Sequence, residues 1–511
     1  MALAQRRVPQ AGDITVAIRL FEQGELAATA RLCRAALARD PRLLPARIVL
    51  ASALLGAGDI AAALAEAEAV LAIDPAVAVA HFIRGTALHD RCRSGEAAAA
   101  LQRAVALAPG DAAAWLNLGV ALTALDRLDA AVQALRQACQ LAPESAEAYA
   151  SLGTALVRSL RLPEAVSAYR AALRLRPEFA AVSWDLGFAL LLGGDFPAGW
   201  AALRQRKPEE EAALTARGVA DVEWDGADRA GGTLLVCASQ GLGDTIQFAR
   251  YLPLLAARGW RVVLACDARL ARLLGGMAAL VTPAERLPPH DAWVALSSLP
   301  LLFGTMALTI PAPAGYLAAD PARVAFWRAA LAGGPAVGLV WAGNPAHAND
   351  ARRSLPQAAL APLLQVAGVR FVSLQHDAAA VPSGVTDLAP QLTDLAETAA
   401  LLQALDLVIT VDTAVAHLAG ALGRPAWVAL PHAPDWRWLL GRDDSPWYRS
   451  VRLFRQPGPG DWDGVVADLA TALRGYEARR PPSPSPSPSP APCSVAPCPP
   501  HAFSSAGASA R

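Results

Sequence analysis

The sequence has no run of about 18 uninterrupted apolar residues, the length a membrane-spanning helix needs, although 54% of its 511 residues are hydrophobic. That apolar excess comes largely from alanine. Net charge is also missing, because 45 basic side chains balance 45 acidic ones, so there is no electrostatic argument for a nucleic-acid or anionic-membrane partner. Seven cysteines, at positions 33, 92, 139, 237, 266, 493 and 498, contain no CxxC pair; an odd, scattered set without zinc or redox spacing suits a reducing compartment. Behind Arg6 and Arg7 no apolar segment follows, since Asp13 and Arg19 interrupt it, which argues against a signal peptide. The expectation is a cytoplasmic protein, or one peripheral at the inner face of the membrane, with no transmembrane segment. Its length exceeds what one hydrophobic core serves, so two or more domains are expected.

What is present begins with a period. Pro41, Pro75, Pro109, Pro143 and Pro177 recur every 34 residues. Trp115, Leu118, Gly119 and Leu122 return as Tyr149, Leu152, Gly153 and Leu156, preceded by His81, Arg84, Gly85 and Leu88. Ala97, Ala131 and Ala165, then Leu101, Leu135 and Tyr169, keep the same step. Small residues let two antiparallel helices approach, large ones fill the groove between units, and proline stops the second helix. The pattern resembles the tetratricopeptide repeat. It predicts an α-solenoid over residues 10–207, five regular units and a variant sixth beginning near Trp184, in which Gly199 replaces the usual alanine. Such superhelices present a surface to a protein or peptide. His81 and His89 are read as packing or surface residues, with no metal assigned to them.

After Lys207 a polar link, residues 208–230, precedes a different pattern. Apolar, β-rich runs at 233–238, 262–265 and 293–296, then at 337–341, 371–374, 407–411 and 427–430, alternate with helical stretches, which implies parallel sheets. A proline- and glycine-rich break near residues 311–335 divides them into lobes at 231–325 and 326–477. Ligands of such sheets bind beyond the carboxyl ends of the strands, so the loops after Ala238, Trp341, Leu374 and Val411 are the expected chemical positions.

Three motifs occupy three of those loops: Gln240-Gly-Leu-Gly-Asp-Thr-Ile-Gln-Phe-Ala-Arg-Tyr-Leu-Pro253, Val340-Trp-Ala-Gly-Asn-Pro345 and Val411-Asp-Thr-Ala-Val-Ala-His-Leu-Ala-Gly420. Together they look like the family-9, heptosyltransferase-like glycosyltransferases, and most like their tetratricopeptide-fused branch. The resemblance implies a GT-B fold of two doubly wound, Rossmann-like α/β lobes. It also implies an inverting reaction without metal or other cofactor, with acceptor on the first lobe and nucleotide-sugar donor on the second.

Under that resemblance Asp244 matches the family's catalytic carboxylate, beside Gly241 and Gly243 of the glycine turn; the alternative for Asp244 is a helix cap satisfying free amides. Asp412, Thr413 and His417 match the donor-binding turn, where a helix N-terminus meets a diphosphate, with a buried structural histidine as the alternative for His417. Ala414 stands where the family often has glycine. Asn344, Arg352, Arg353 and Ser354 belong to a loop that helps hold the leaving diphosphate. Gln375 ends a strand facing the cleft, Glu397 corresponds to a carboxylate near the nucleotide, and Arg437 follows in Pro434-Asp-Trp-Arg-Trp438. Asp443 and Asp444 have no carboxylate-rich company to make a metal pair. Residues 478–511, in which serine alternates with proline, read as a disordered tail, with Cys493 and Cys498 incidental.

The expected function is therefore transfer of a sugar from a nucleotide diphosphate to a hydroxyl of a glycan or protein, with the repeats recruiting acceptor or partner. The competing reading is a non-catalytic scaffold that keeps a degenerate nucleotide-binding shape.

Overall fold

The structure is a computed structural model and describes residues 11–204, 219, 222–227, 231–238, 241–283, 287–312, 314–347, 349–376 and 380–477. The tail 478–511, with Cys493 and Cys498, most of the 208–230 link, and Gln240 lie outside the described residues.

The first 34-residue period becomes helix pair Ala11–Glu22 with Leu26–Leu37, and the sixth becomes Ala180–Leu192 with Phe196–Leu203. The large and small repeat positions meet each other directly. A Cβ on Gly85 would lie 2.5 Å from Leu101 Cγ, and one on Gly153 would lie 2.5 Å from Tyr169 Cε1, so in the third to sixth units the glycine of the first helix is the seat of a large residue of the second, while the first two units carry Ala17 and Ala51 there. The turn between paired helices has φ > 0 at Gly24, Gly58, Cys92, Asp126, Leu160 and Gly194, again 34 apart. Helices end at Ile73, Leu107, Leu141 and Leu175, two residues before the periodic prolines. Arg47, His81 and Trp115, one period apart, each hydrogen-bond the carbonyl of Pro41, Pro75 or Pro109 at 2.8, 3.0 and 2.9 Å. His81 thus does the loop-fastening work of its repeat position. In the sixth unit that register falls on Ser183, whose Oγ donates to Ala202 O at 3.0 Å, and Trp184 stands one residue beyond it.

Beyond the solenoid lie two wholly parallel sheets. The first is ordered β3-β2-β1-β4, from β1 (Thr233–Cys237), β2 (Arg261–Cys266), β3 (Leu280–Pro283) and β4 (Ala292–Ala295). The second is ordered β10-β9-β8-β5-β6-β7, from β5 (Ala336–Val340), β6 (Arg370–Ser373), β7 (Val385–Asp387), β8 (Leu407–Val411), β9 (Ala426–Leu430) and β10 (Val451–Arg455). In each, the chain reverses direction across the sheet beside its first strand, β1 or β5, and the crevice at such a switch point is where ligands of this fold bind. Part of the link joins the first sheet: Trp224 N donates to Trp293 O at 2.8 Å and its ring packs edge-on to Trp260. The Pro321–Ala330 helix, which a boundary at residue 325 would divide, packs on the Leu395–Ala404 helix of the second lobe.

Solenoid and lobes share one apolar cluster. Phe196 and Trp200 of the last repeat helix enter it, and Trp200 meets Trp436 edge-on at 5.2 Å and Trp447 at 6.4 Å, both from the second lobe. The indole N–H of Trp200 donates to Thr305 O of the first lobe at 3.0 Å. Arg250 ties the lobes together as well. It donates to Trp447 O at 3.0 Å and Pro311 O at 3.2 Å, and its guanidinium lies against the rings of Tyr316, Trp447 and Tyr448. On the far side, Arg272 of the first lobe makes a two-pronged bond to Asp394 of the second, 2.8 and 2.7 Å.

Candidate active site

The carboxyl end of β1 leads into the Leu242–Phe248 helix, and the carboxyl end of β8 into the Ala414–Ala421 helix. These two helices pack against each other across the lobes. Gly243 permits the approach: a Cβ there would stand 2.8 Å from His417 Cδ2. The second glycine of the turn is thus needed for contact between lobes.

Gly241 is the N-cap residue of its helix, and Asp244 occupies the third helical position, where its Oδ2 accepts from Gly241 N at 3.1 Å. The capping role expected as an alternative is therefore present in the geometry. The other oxygen faces the cleft, where Arg437 Nη2 donates to Oδ1. Arg437 also donates through Nε to Gln247 Oε1 at 2.5 Å and through Nη1 to Asp435 Oδ1 at 2.8 Å, and it lies over the Trp436 ring at 4.3 Å. Beside Asp244, a small cavity of about 10 Å³ is lined by Cys237, Ala238, Thr245, Phe248, Leu296 and Ser297. That is room for about one water molecule, so a whole sugar needs it to widen.

On the second lobe, Thr413 stands at the N-cap of the Ala414–Ala421 helix without capping it through its side chain, and its Oγ1 pairs with Thr410 Oγ1 at 3.1 Å. The first amides of this helix are an anion seat of the kind helix N-termini offer. His417 is buried, stacked on Trp438 with ring centroids 5.6 Å apart and hydrogen-bonded through Nδ1 to Tyr448 Oη at 3.0 Å. Burial holds it well below its ordinary value, so it is neutral at pH 7.

Burial, and then the neighbouring Asp435 carboxylate, push Asp412 up to about 7. The folded state thus keeps a proton on Asp412 at pH values where the unfolded chain has lost it. Its contribution to stability is complete below the ordinary value of 3.8 and declines as pH rises through about 7. An Asp412→Asn variant should therefore raise the urea midpoint more at pH 8 than at pH 4.5. Equal gains at both pH values would show that the carboxylate carries no such cost.

The loop after β5 is drawn onto the same turn. Arg353 bonds Asp350 Oδ1 and Asp412 O, both at 3.1 Å, passing over Gly343, and Ser354 Oγ accepts from Gly343 N at 2.9 Å. Gln375 fixes the loop's root, its Oε1 accepting from Trp341 N and Ala342 N at 3.1 and 2.9 Å. Asn344 is exposed and accepts from Ala346 N. Arg352 points elsewhere: its Nε lies 3.6 Å from Asp126 Oδ2, on a turn of the fourth repeat, where Arg158 also bonds Asp126. Glu397 is buried near the Arg272 bridge, bonded to Arg323 Nη2 at 2.7 Å and Trp327 Nε1 at 2.6 Å.

The structure thus gathers Asp244, Arg437, Asp412, Thr413, His417 and Arg353 around one junction, with Asn344 and Ser354 on its loop. Arg352 is engaged with the solenoid and Glu397 with Arg323 and Trp327. Three residues escaped the sequence reading. Gln247 lies one turn beyond Asp244 on the same helix face, a spacing that signals it, and Asp435 sits inside the quoted Pro434–Trp438 motif. His347, on the loop after β5, has Nδ1 accepting from Asn349 N at 3.2 Å. It is held below its ordinary value by burial and Arg353, against the pull of the carboxylates of Asp350, Asp435 and Asp244. Among the described residues no three His, Cys, Asp or Glu side chains converge as a metal-holding group, and no helix is long and apolar enough to cross a membrane.

The family model for glycosyltransferase family 9 (heptosyltransferase) matches residues 358–430, and a tetratricopeptide-repeat model matches 48–112, 85–146 and 151–206. Protein FlbA of Caulobacter vibrioides is 34% identical over 317 residues, covering 55% of this chain. The chain spans about half the length of that relative, 52%. Among solved structures, MamA from Desulfovibrio magneticus RS-1 is 23% identical, with 33% of this chain and 94% of that one covered and a TM-score of 0.30. A thermophilic tetratricopeptide-repeat protein of Thermus thermophilus is also 23% identical, with 35% and 98% covered and a TM-score of 0.30. The chain thus carries a tetratricopeptide-repeat region and a glycosyltransferase family 9 region.

Proposed function

We propose that this chain, a tetratricopeptide solenoid joined to a family 9 glycosyltransferase region, transfers a sugar from a nucleotide diphosphate to a hydroxyl of a glycan or protein acceptor. The observation that carries the reading is the packing of the Leu242–Phe248 helix on the Ala414–Ala421 helix. It sets a carboxylate of one lobe beside the anion seat of the other.

In the proposed reaction the acceptor enters at the pocket beside Asp244. As the acceptor oxygen bonds to the anomeric carbon from one face, its proton passes to Asp244. The bond from that carbon to the diphosphate breaks on the opposite face and its electron pair leaves with the phosphate, so the configuration inverts. The developing charge is met by the Ala414–Ala421 helix terminus and by Arg353 and Arg437, without a metal. Asn344, Ser354 and Gln375 shape the phosphate-side loop, and neutral His417 holds the lobes together beneath it. The solenoid recruits the acceptor or a partner protein.

A scaffold without turnover draws support from one feature, that both oxygens of Asp244 are already engaged. Calorimetry and turnover with UDP-, GDP-, ADP- and dTDP-sugars separate the two readings. The transferase should bind one donor and hydrolyse it slowly in the absence of acceptor. Binding of none of the four would sink it.

A further inference from the structure

Arg437 connects the two halves of the site. From the second lobe it reaches Asp244 Oδ1 and Gln247 Oε1 of the first, while Asp435 takes its remaining edge. One guanidinium therefore serves two carboxylates, and the cluster is left with an excess negative charge. A diphosphate arriving at the Ala414–Ala421 terminus meets repulsion from this cluster until the guanidinium turns to face it. Gln247 bears on the same junction: its Oε1 is held by Arg437, while its buried Nε2 makes no hydrogen bond among the described residues.

We propose that Arg437 guards the base. While its guanidinium holds Asp244, the carboxylate is occupied and receives no acceptor proton. The donor's diphosphate draws Arg437 away, because phosphate oxygens match its two-pronged geometry at least as well as a carboxylate does, and Asp244 is freed only in the donor complex. Donor then binds before acceptor, and the sugar is committed only when a phosphate leaving group is in place. The flat Trp436 ring beneath the guanidinium at 4.3 Å gives it a surface to move across. This inference rests on the transferase reading and deepens it.

The test is a double-mutant cycle on nucleoside diphosphate affinity, measured by calorimetry with UDP, GDP, ADP and dTDP on the full chain. Asp244→Asn should bind the preferred nucleotide about five- to tenfold more tightly than wild type, because Arg437 no longer has to leave a carboxylate. Arg437→Ala should weaken binding about tenfold, and adding Asp244→Asn to it should change nothing. Simple repulsion between Asp244 and the phosphates predicts the same tightening in both backgrounds, and that result overturns the guard. So does an Asp244→Asn variant that binds no tighter than wild type. Should Arg437→Ala fail to fold, Arg437→Lys keeps the cation without the fork, and Asp244→Asn should gain less than half as many fold there. A wild type that binds none of the four nucleotides removes the transferase reading and the guard with it; normal binding with no coupling removes the guard alone.

Discussion

Trp200→Ala should destabilise the protein by about 3–5 kcal/mol, the usual cost of removing a buried tryptophan. The side chain is 3% exposed and stands where solenoid, first lobe and second lobe meet. Its loss also leaves Thr305 O without the indole donor. Repeat arrays normally unfold with each unit coupled only to its neighbours. Here the last pair is packed into the core of the lobes, so the sixth repeat and the two lobes should melt together, and Trp200→Ala should shift that shared transition. Guanidinium denaturation followed by tryptophan fluorescence and by far-UV circular dichroism measures it. A shift worth less than about 1 kcal/mol, well short of the cost expected for a filled core position, would mean that the solenoid is only tethered to the lobes. The functional consequence follows from the neighbours: Trp436 lies against both Trp200 and Arg437, so loosening the junction should loosen the guanidinium at the site.

Asp244→Ala should abolish donor turnover, lowering kcat on the order of 10²–10⁴-fold, the range attributed to a positioned general base. Stability should fall only by the lost cap on Gly241 N, about 1 kcal/mol, because Arg437 keeps Asp435 and Gln247 as partners and no charge is left stranded. Single-turnover hydrolysis of the donor identified by the binding screen gives the rate, and thermal melting gives the stability. Turnover within tenfold of wild type would exclude Asp244 as the base and return the role to another cleft group such as His347.

Much of this architecture is legible in the residues. The 34-residue period specifies the helix pairs, because each unit must present small and large residues in the same register to stack on the next. Seven strands were readable as apolar runs since both faces of a parallel sheet are covered. The three strands missed, β3, β7 and β10, are all at sheet edges. There one side is open and their burial is broken, as in Leu280–Pro283 and Val451–Arg455, and Val385–Asp387 is polar at two of its three positions. The candidate site was legible as motifs, and the motifs contain Asp244, Thr413 and Arg437, which the structure brings to one junction. Gln247 and Asp435 lay within those stretches but show their role only as partners of Arg437.

By itself the sequence determined the repeat solenoid, the alternation that makes two parallel sheets and the loops that carry the candidate site. Those follow from local periodicity and from backbone rules acting within a few tens of residues. Tertiary structure alone decided that Gly243 serves His417, that Arg352 turns to the solenoid at Asp126, and that Arg437 lies on Asp244. Each of these joins residues separated by 170 or more positions, and no local pattern records which side chain a distant one will meet; only the packing of three bodies around Trp200, Trp436 and Trp447 brings them together.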